Sequence, residues 1–93
     1  MDVQTFDSVF DALSNTPAEA MNMKARGELL SALIARIRSW DLPQDAAAKR
    51  LGITRPRLND LVRCKLAKFS LDALVNLTSA AGLTLEIRIT DAA

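Results

Sequence analysis

The 93-residue sequence contains no histidine, no tyrosine and a single cysteine, Cys64. One cysteine cannot form a disulfide within the chain, which favours a reducing compartment, the cytoplasm. Because histidine and a second thiol are lacking, we predict no metal site and no cofactor. No apolar run approaches the roughly 18 residues of a membrane span. The first ten residues lack the basic start of a signal peptide, so none is expected.

Aromatic residues are scarce as well, with three Phe and one Trp. Apolar residues make up 49% of the chain and charged residues 25%, which is typical of a folded protein. The length fits one domain with a small helical core of Leu, Ile and Ala. An enzyme is disfavoured, because no nucleophile or base has a partner at a suitable spacing and Cys64 lies in a basic stretch. No catalytic residue is therefore predicted.

Charge is segregated along the chain, although the net charge is only +1. Residues 1–23 contain four acids and no base, whereas residues 49–68 contain seven bases and one acid. A cluster of bases is typical of a phosphate-binding face, and the alternative is a solvated charged helix.

Residues 44–61, QDAAAKRLGITRPRLNDL, have the pattern of two helices joined by a tight turn. Ala48 allows close approach of the helices, and Gly52 suits a turn with positive φ. The apolar side chains of Ile53, Leu58 and Leu61 are predicted to point into a core that the two helices share. This spacing predicts a helix-turn-helix, whose second helix enters the DNA major groove.

The start of the chain predicts an acidic arm and then a long helix. Residues 1–15 form an arm or a short helix, with helical spacing of Phe6, Val9, Phe10 and Leu13. Thr16, Pro17 and Glu19 together predict a helix start and capping box, and the apolar stripe continues to about Ser39. The arm offers a surface for a basic partner, or is a mobile terminus or packs on the core.

Three further helices are predicted after the long one. Residues 44–51 form the first, and Thr54 caps the second, the recognition helix, with Pro56 in its first turn. Ser70 caps the third, and Gly82 ends it.

The C-terminal residues predict the one strand of the chain. Apolar and polar residues alternate over 83–90, as in a half-buried strand, with Leu83, Leu85, Ile87 and Ile89 on one face. A lone strand leaves its backbone groups unpaired, so we expect it to pair with a second copy across a two-fold dimer. The alternative is pairing with the arm of its own chain.

These elements predict a mainly α fold. It is a compact bundle of about five helices that contains a helix-turn-helix and has one C-terminal β-strand for dimerisation. Residues 1–15 are the acidic arm, residues 16–82 the helical domain, and residues 83–93 the dimerisation strand and tail.

The residue types divide the predicted DNA contacts into two groups. Base edges are read by side chains of the recognition helix, here Thr54, Arg55, Arg57 and Asn59. Of these, Thr54, Arg55 and Asn59 are favoured, and exposed residues in surface salt links are the alternative. Phosphates are bound by Gln44 at a helix N-terminus and by Arg63, Lys65 and Lys68. A dimer places two recognition helices in successive major grooves about 34 Å apart.

Residues 30–89 resemble the XRE family of helix-turn-helix regulators, and more narrowly its HigA-like antitoxin branch. The resemblance lies in Leu-Gly-Ile at 51–53, Pro-Arg at 56–57, the basic loop 65–68, Phe-Ser-Leu-Asp-Ala-Leu at 69–74, Gly-Leu at 82–83 and Glu-Ile-Arg at 86–88. It implies a homodimeric repressor that binds a palindromic operator, pairs with a RelE-like ribonuclease toxin and represses its own operon. A stand-alone regulator, or an interaction module that does not bind DNA, is the alternative.

The sequence departs from this family at two positions. Pro43 replaces the usual Thr before the second helix, which removes a hydroxyl cap. Cys64 replaces the usual Gly after the recognition helix, and a left-handed conformation there would cost about 1 kcal/mol or more.

Overall fold

The computed structural model describes residues 16–92, and within them the chain is helical. The predicted acidic arm, residues 1–15, lies outside the described part. The four α-helices are α1 (Pro17–Trp40), α2 (Gln44–Leu51), α3 (Arg55–Val62) and α4 (Leu71–Ala80). A 3₁₀ turn, Leu66–Lys68, connects α3 to α4. The mainly helical prediction is confirmed with four helices; the fifth predicted helix fell in the arm.

Each predicted N-cap that depends on a hydroxyl is formed. The Thr16 hydroxyl accepts a hydrogen bond from the Glu19 N–H and donates one to the Glu19 carboxylate, both at 3.1 Å. Thr54 accepts from the Arg57 N–H at 3.2 Å and Ser70 from the Ala73 N–H at 3.1 Å. These bonds satisfy backbone donors that the first helical turn leaves unpaired, so the side chains fix where α1, α3 and α4 begin.

Three helices end in the same backbone arrangement, the Schellman motif. At the end of α2, Gly52 has φ 75°, and the Ile53 N–H donates to the Ala48 carbonyl. At the end of α4, Gly82 has φ 80°. At the end of α3 the left-handed residue is Cys64, with φ 61°. The left-handed conformation anticipated for Cys64 is therefore present.

The core is formed where α1 crosses the other helices. Its fully buried side chains belong to α1, α3, α4 and the segment before α4, and they are Leu33, Leu58, Leu61, Phe69 and Leu74. Two alanines of α2, Ala47 and Ala48, are 2% and 3% exposed. Small side chains at these positions allow α2 and α3 to approach closely, as the helix-turn-helix pattern predicted.

The predicted C-terminal strand is not formed within the described part of the chain. Residues 83–92 follow α4 without helix or strand. Strand assignment requires a hydrogen-bonded neighbour, and the predicted neighbour belongs to a second copy. Leu83 packs against the core, whereas Leu85, Ile87 and Ile89 are 42%, 72% and 86% exposed. Pairing across a dimer stays a prediction.

Candidate nucleic-acid interface

The N-terminal ends of α2 and α3 lie side by side. Nε of Arg55 donates a hydrogen bond to Oε1 of Gln44 at 3.4 Å. A terminal guanidinium nitrogen of Arg55 lies 3.5 Å from the Asp45 carboxylate, with both side chains largely exposed. The fold thus brings together a residue predicted to bind phosphate and one predicted to read bases.

The start of α2 has no side-chain cap, because Pro43 occupies the N-cap position. The N–H groups of its first turn therefore lack a partner within the helix. Unpaired N–H groups and the positive end of the helix dipole favour an anion. Gln44 and Arg55 are exposed at the same place. This end of the helix-turn-helix can accept a phosphate without rearrangement of its backbone.

Two other residues predicted to read bases flank this point on α3. Thr54 is exposed, and its oxygen is engaged as the cap of α3, which leaves its O–H free to donate. Asn59 is half-buried one turn further along, and its side chain makes no hydrogen bond to another residue of 16–92. Both remain predicted base readers.

Arg57 has a different environment from its neighbours. Its guanidinium carbon lies 4.2 Å from the centroid of the Phe69 ring. A terminal nitrogen donates to the Lys68 carbonyl at 3.1 Å. Arg57 is half-buried, whereas Arg55 is exposed. The guanidinium is thus directed toward the protein surface beside α3, and base reading by Arg57 stays an untested prediction.

The residues predicted to clamp phosphates follow α3 along the chain. We call residues 65–68 the basic turn. The ammonium groups of Lys65 and Lys68 each lie 3.6 Å from a different oxygen of Asp60, which is the single acid among residues 49–68. Both lysines remain about half exposed. Arg63 is exposed at the end of α3. Because an ammonium group has three donors, each lysine can bind a phosphate while Asp60, which is 22% exposed, keeps its partner.

The anchor of the basic turn is a residue that the sequence analysis missed. Arg26, on α1, donates to the carbonyls of Leu66 at 3.3 Å and Phe69 at 3.4 Å. Its partners lie about 40 residues further along the chain, so no local pattern could have identified it. Asp60, the partner of the two lysines, could have been found from the sequence, because it is the single acid within a run of bases.

A shallow apolar groove of about 620 Å³ lies between α1, α4 and the C-terminal segment. Its apolar lining includes Met21, Leu29, Leu71, Val75, Leu85 and Ile87. The groove is continuous with the exposed side chains of the predicted dimerisation segment.

The described residues contain no cluster of His, Cys, Asp and Glu that could hold a metal ion. Cys64 is a free, exposed thiol. Among the helices of residues 16–92, none is long and apolar enough to span a membrane.

Two of the three comparisons with known proteins give matches. A family model described as a helix-turn-helix domain matches residues 9–90. A solved structure classed as an XRE-family transcriptional regulator is 37% identical in sequence, with a TM-score of 0.71. That similarity covers 78% of this chain and 82% of the other. No curated protein matches the sequence significantly.

Proposed function

Because the chain belongs to the XRE family of helix-turn-helix regulators, we propose that it binds double-stranded DNA and represses transcription at a specific operator. The observation that carries this proposal is the meeting of the α2 and α3 N-termini. Gln44 and Arg55 are in contact there, exposed, beside an uncapped helix start. An anion site next to a base-reading side chain is what docking of α3 in a major groove requires.

The proposed complex assigns separate roles to the two ends of α3. At its start, Thr54, Arg55 and Asn59 face base edges; an arginine can bond to guanine with two donors, and asparagine to adenine in a similar way. Beyond its end, Arg63, Lys65 and Lys68 contact phosphates and set the position of α3 on the duplex. The first turn of α2, with Gln44, holds a further phosphate.

The test is selection of binding sites from a random duplex pool, followed by titration of the recovered duplex and of a scrambled duplex. We expect Asn59→Ala to weaken binding to the recovered duplex by about 1–3 kcal/mol and to change binding to scrambled DNA little. Asn76→Ala, at an exposed asparagine of α4, is the matched control. Equal losses on both duplexes would count against base reading by Asn59. Failure to recover any sequence would count against the proposed function.

The proposed DNA-binding unit is a homodimer joined through residues 83–90. Support comes from the exposure of Leu85, Ile87 and Ile89 and from the apolar groove beside them. Sedimentation of the full chain and of a variant ending at residue 82 tests this. A dimer that becomes a monomer on truncation supports the proposal. A full chain that stays monomeric, or a truncated chain that stays dimeric, contradicts it, and the first result favours pairing with the chain's own arm.

We further propose that the repressor is the antitoxin of a type II pair with a RelE-like toxin. The support is the resemblance of residues 30–89 to the HigA-like branch, together with the acidic composition of residues 1–15, which suits a basic partner. Expression with the neighbouring gene tests it. A small basic protein that co-purifies in fixed ratio and stops growth when expressed alone supports the antitoxin. A homodimer without a companion favours a stand-alone regulator.

The rival proposal is an interaction module that does not bind DNA. Salt dependence separates the two, because counterion release makes DNA binding fall steeply with salt, whereas apolar protein contacts persist. We expect no enzymatic activity and no cofactor requirement, and we place the proposed repressor in the cytoplasm with its DNA.

A further inference from the structure

The basic turn is fastened to the rest of the molecule through its backbone. Arg26 of α1 donates to two carbonyls, those of Leu66 and Phe69. Arg57 of α3 donates to a third, that of Lys68, and lies over the Phe69 ring. The Phe69 side chain is itself 1% exposed, so the ring that Arg57 covers is fixed by the core. Arg57 therefore links the recognition helix to the backbone of this turn, beside the ion pairs that Asp60 of the same helix makes with Lys65 and Lys68.

We propose that Arg57 is a positioning residue for DNA binding, which holds the phosphate-binding lysines of the basic turn at a fixed place relative to α3. The inference rests on the proposed function, because it names how one part of that site is arranged. It assigns Arg57 a role other than base reading. Its effect on DNA is exerted through Lys65 and Lys68, which carry the charge that meets the phosphates.

The geometry of Arg57 carries this assignment. A guanidinium is planar, with donors on its edge and two stacking faces. In Arg57 one face covers Phe69 and one edge donor is bonded to a carbonyl. Reaching a guanine would break both contacts, and the stack on the buried Phe69 ring would be lost with them. Arg55 has no such constraint, since its partners are exposed and polar.

Lysine cannot replace arginine in this role, although it has the same charge. An ammonium group lacks the planar face and the forked donors that allow stacking and a directed hydrogen bond together. Arg57→Lys therefore preserves charge while removing the stack on Phe69 and the directed hydrogen bond to the Lys68 carbonyl. Phe69→Leu removes the ring on which Arg57 stacks and leaves every charged residue unsubstituted. Both variants keep the number of positive charges, so a change in salt dependence reports position rather than charge.

The experiment measures dissociation constants of the full chain for a duplex recovered by in vitro selection and for a scrambled duplex, between 0.05 and 0.3 M salt. Each phosphate contact contributes about 0.9 to the slope of log K against log salt. If both lysines lose their contacts, the slope becomes less steep by about 1.8 and affinity at 0.1 M salt falls by up to about 60-fold. We expect Arg57→Lys to lower affinity on both duplexes by similar factors, with a shallower slope, and Phe69→Leu to act in the same direction.

Arg36→Lys is the matched structural control. Arg36 also donates to a carbonyl far along the chain, that of Ala81 at 3.3 Å, but it contacts no residue of the basic turn. We expect its loss to lower thermal stability without altering the salt slope. If Arg57→Lys behaves like Arg36→Lys, the contact is merely structural and the proposal is wrong.

Two further outcomes would overturn the inference. A loss confined to the selected duplex, with an unchanged slope, would make Arg57 a base reader. Arg57→Lys with wild-type binding on both duplexes would show that the basic turn needs no fastening to α3. All of these measurements require that the wild-type chain binds its selected duplex. If it does not, the proposed function is refuted, and that result is distinct from a refutation of the role of Arg57.

Discussion

Replacement of Cys64 by glycine should stabilise the protein. Cys64 occupies the left-handed position of a Schellman motif, with φ 61°, where the equivalent residues after α2 and α4 are Gly52 and Gly82. The Cys64 N–H donates to the Leu61 carbonyl at 3.0 Å, and the motif is completed by the next residue, as it is at the two glycines. The three helix ends thus have the same hydrogen bonds and differ only in which residue occupies the left-handed position.

The magnitude follows from two opposing contributions to the free energy of unfolding. A side chain in the left-handed region costs roughly 1–2 kcal/mol, which glycine removes. Glycine makes the unfolded chain more flexible and costs about 0.5–1 kcal/mol in return. The expected net gain is about 0.5–1 kcal/mol, which for a domain of this size raises Tm by about 2–8 °C. Cys64 is exposed, so loss of its side chain removes no core packing.

Thermal and urea unfolding under reducing conditions, at one protein concentration, measure this gain. Cys64→Ser controls for loss of the thiol, because serine keeps a side chain at positive φ and should change stability little. Arg63→Gly controls for glycine itself, since Arg63 has an ordinary φ of −89° and should lose stability. A Cys64→Gly variant no more stable than Cys64→Ser would refute the assignment of strain to this residue.

Two further predictions concern helix formation. Gly27 lies inside α1, and nothing lies within 4 Å of a Cβ added there. Gly27→Ala should therefore stabilise the protein by about 1 kcal/mol in the same unfolding assay. A loss of stability would contradict this expectation. Ser70→Ala should destabilise by about 1 kcal/mol by removing the N-cap of α4, with Ser79→Ala, an exposed serine inside the last turn, as control. Equal effects of the two serine changes would contradict the capping explanation.

The elements that the sequence predicted well are those determined by near neighbours. Thr16, Thr54 and Ser70 cap helices through residues three positions later, so a short window contains both partners. Gly52 is similar, because its positive φ follows from a turn between two apolar stretches. For the same reason α2 and the start of α3 were placed where the structure has them.

The C-terminal segment and the basic turn show the opposite case. Alternation over residues 83–90 indicates a strand, but strand formation depends on a partner that the pattern does not name. Arg57 was predicted to read bases and Arg26 was missed, and their hydrogen bonds reach carbonyls 11 residues away for Arg57 and 40 and 43 residues away for Arg26. Such contacts depend on how helices pack, and residue type reveals only the charge. Sequence alone therefore predicted a DNA interface and left the contacts of its arginines open.

The contacts of the basic residues also bear on how many of them should contribute to the salt dependence of DNA binding. In the free protein, Arg55 contacts Asp45 in a largely exposed pair, whereas Lys65 and Lys68 share Asp60, whose side chain is 22% exposed. The exposed pair contributes little stability, so in the proposed complex Arg55 can exchange its carboxylate for another partner at little cost. Each lysine has three donors and can bind a phosphate while Asp60 keeps its partner. Arg57 would first have to leave its stack on Phe69 and its hydrogen bond to Lys68. Of these four cations, we therefore expect Arg55, Lys65 and Lys68 to count toward the salt dependence of DNA binding, and Arg57 to affect it only through the position of the two lysines.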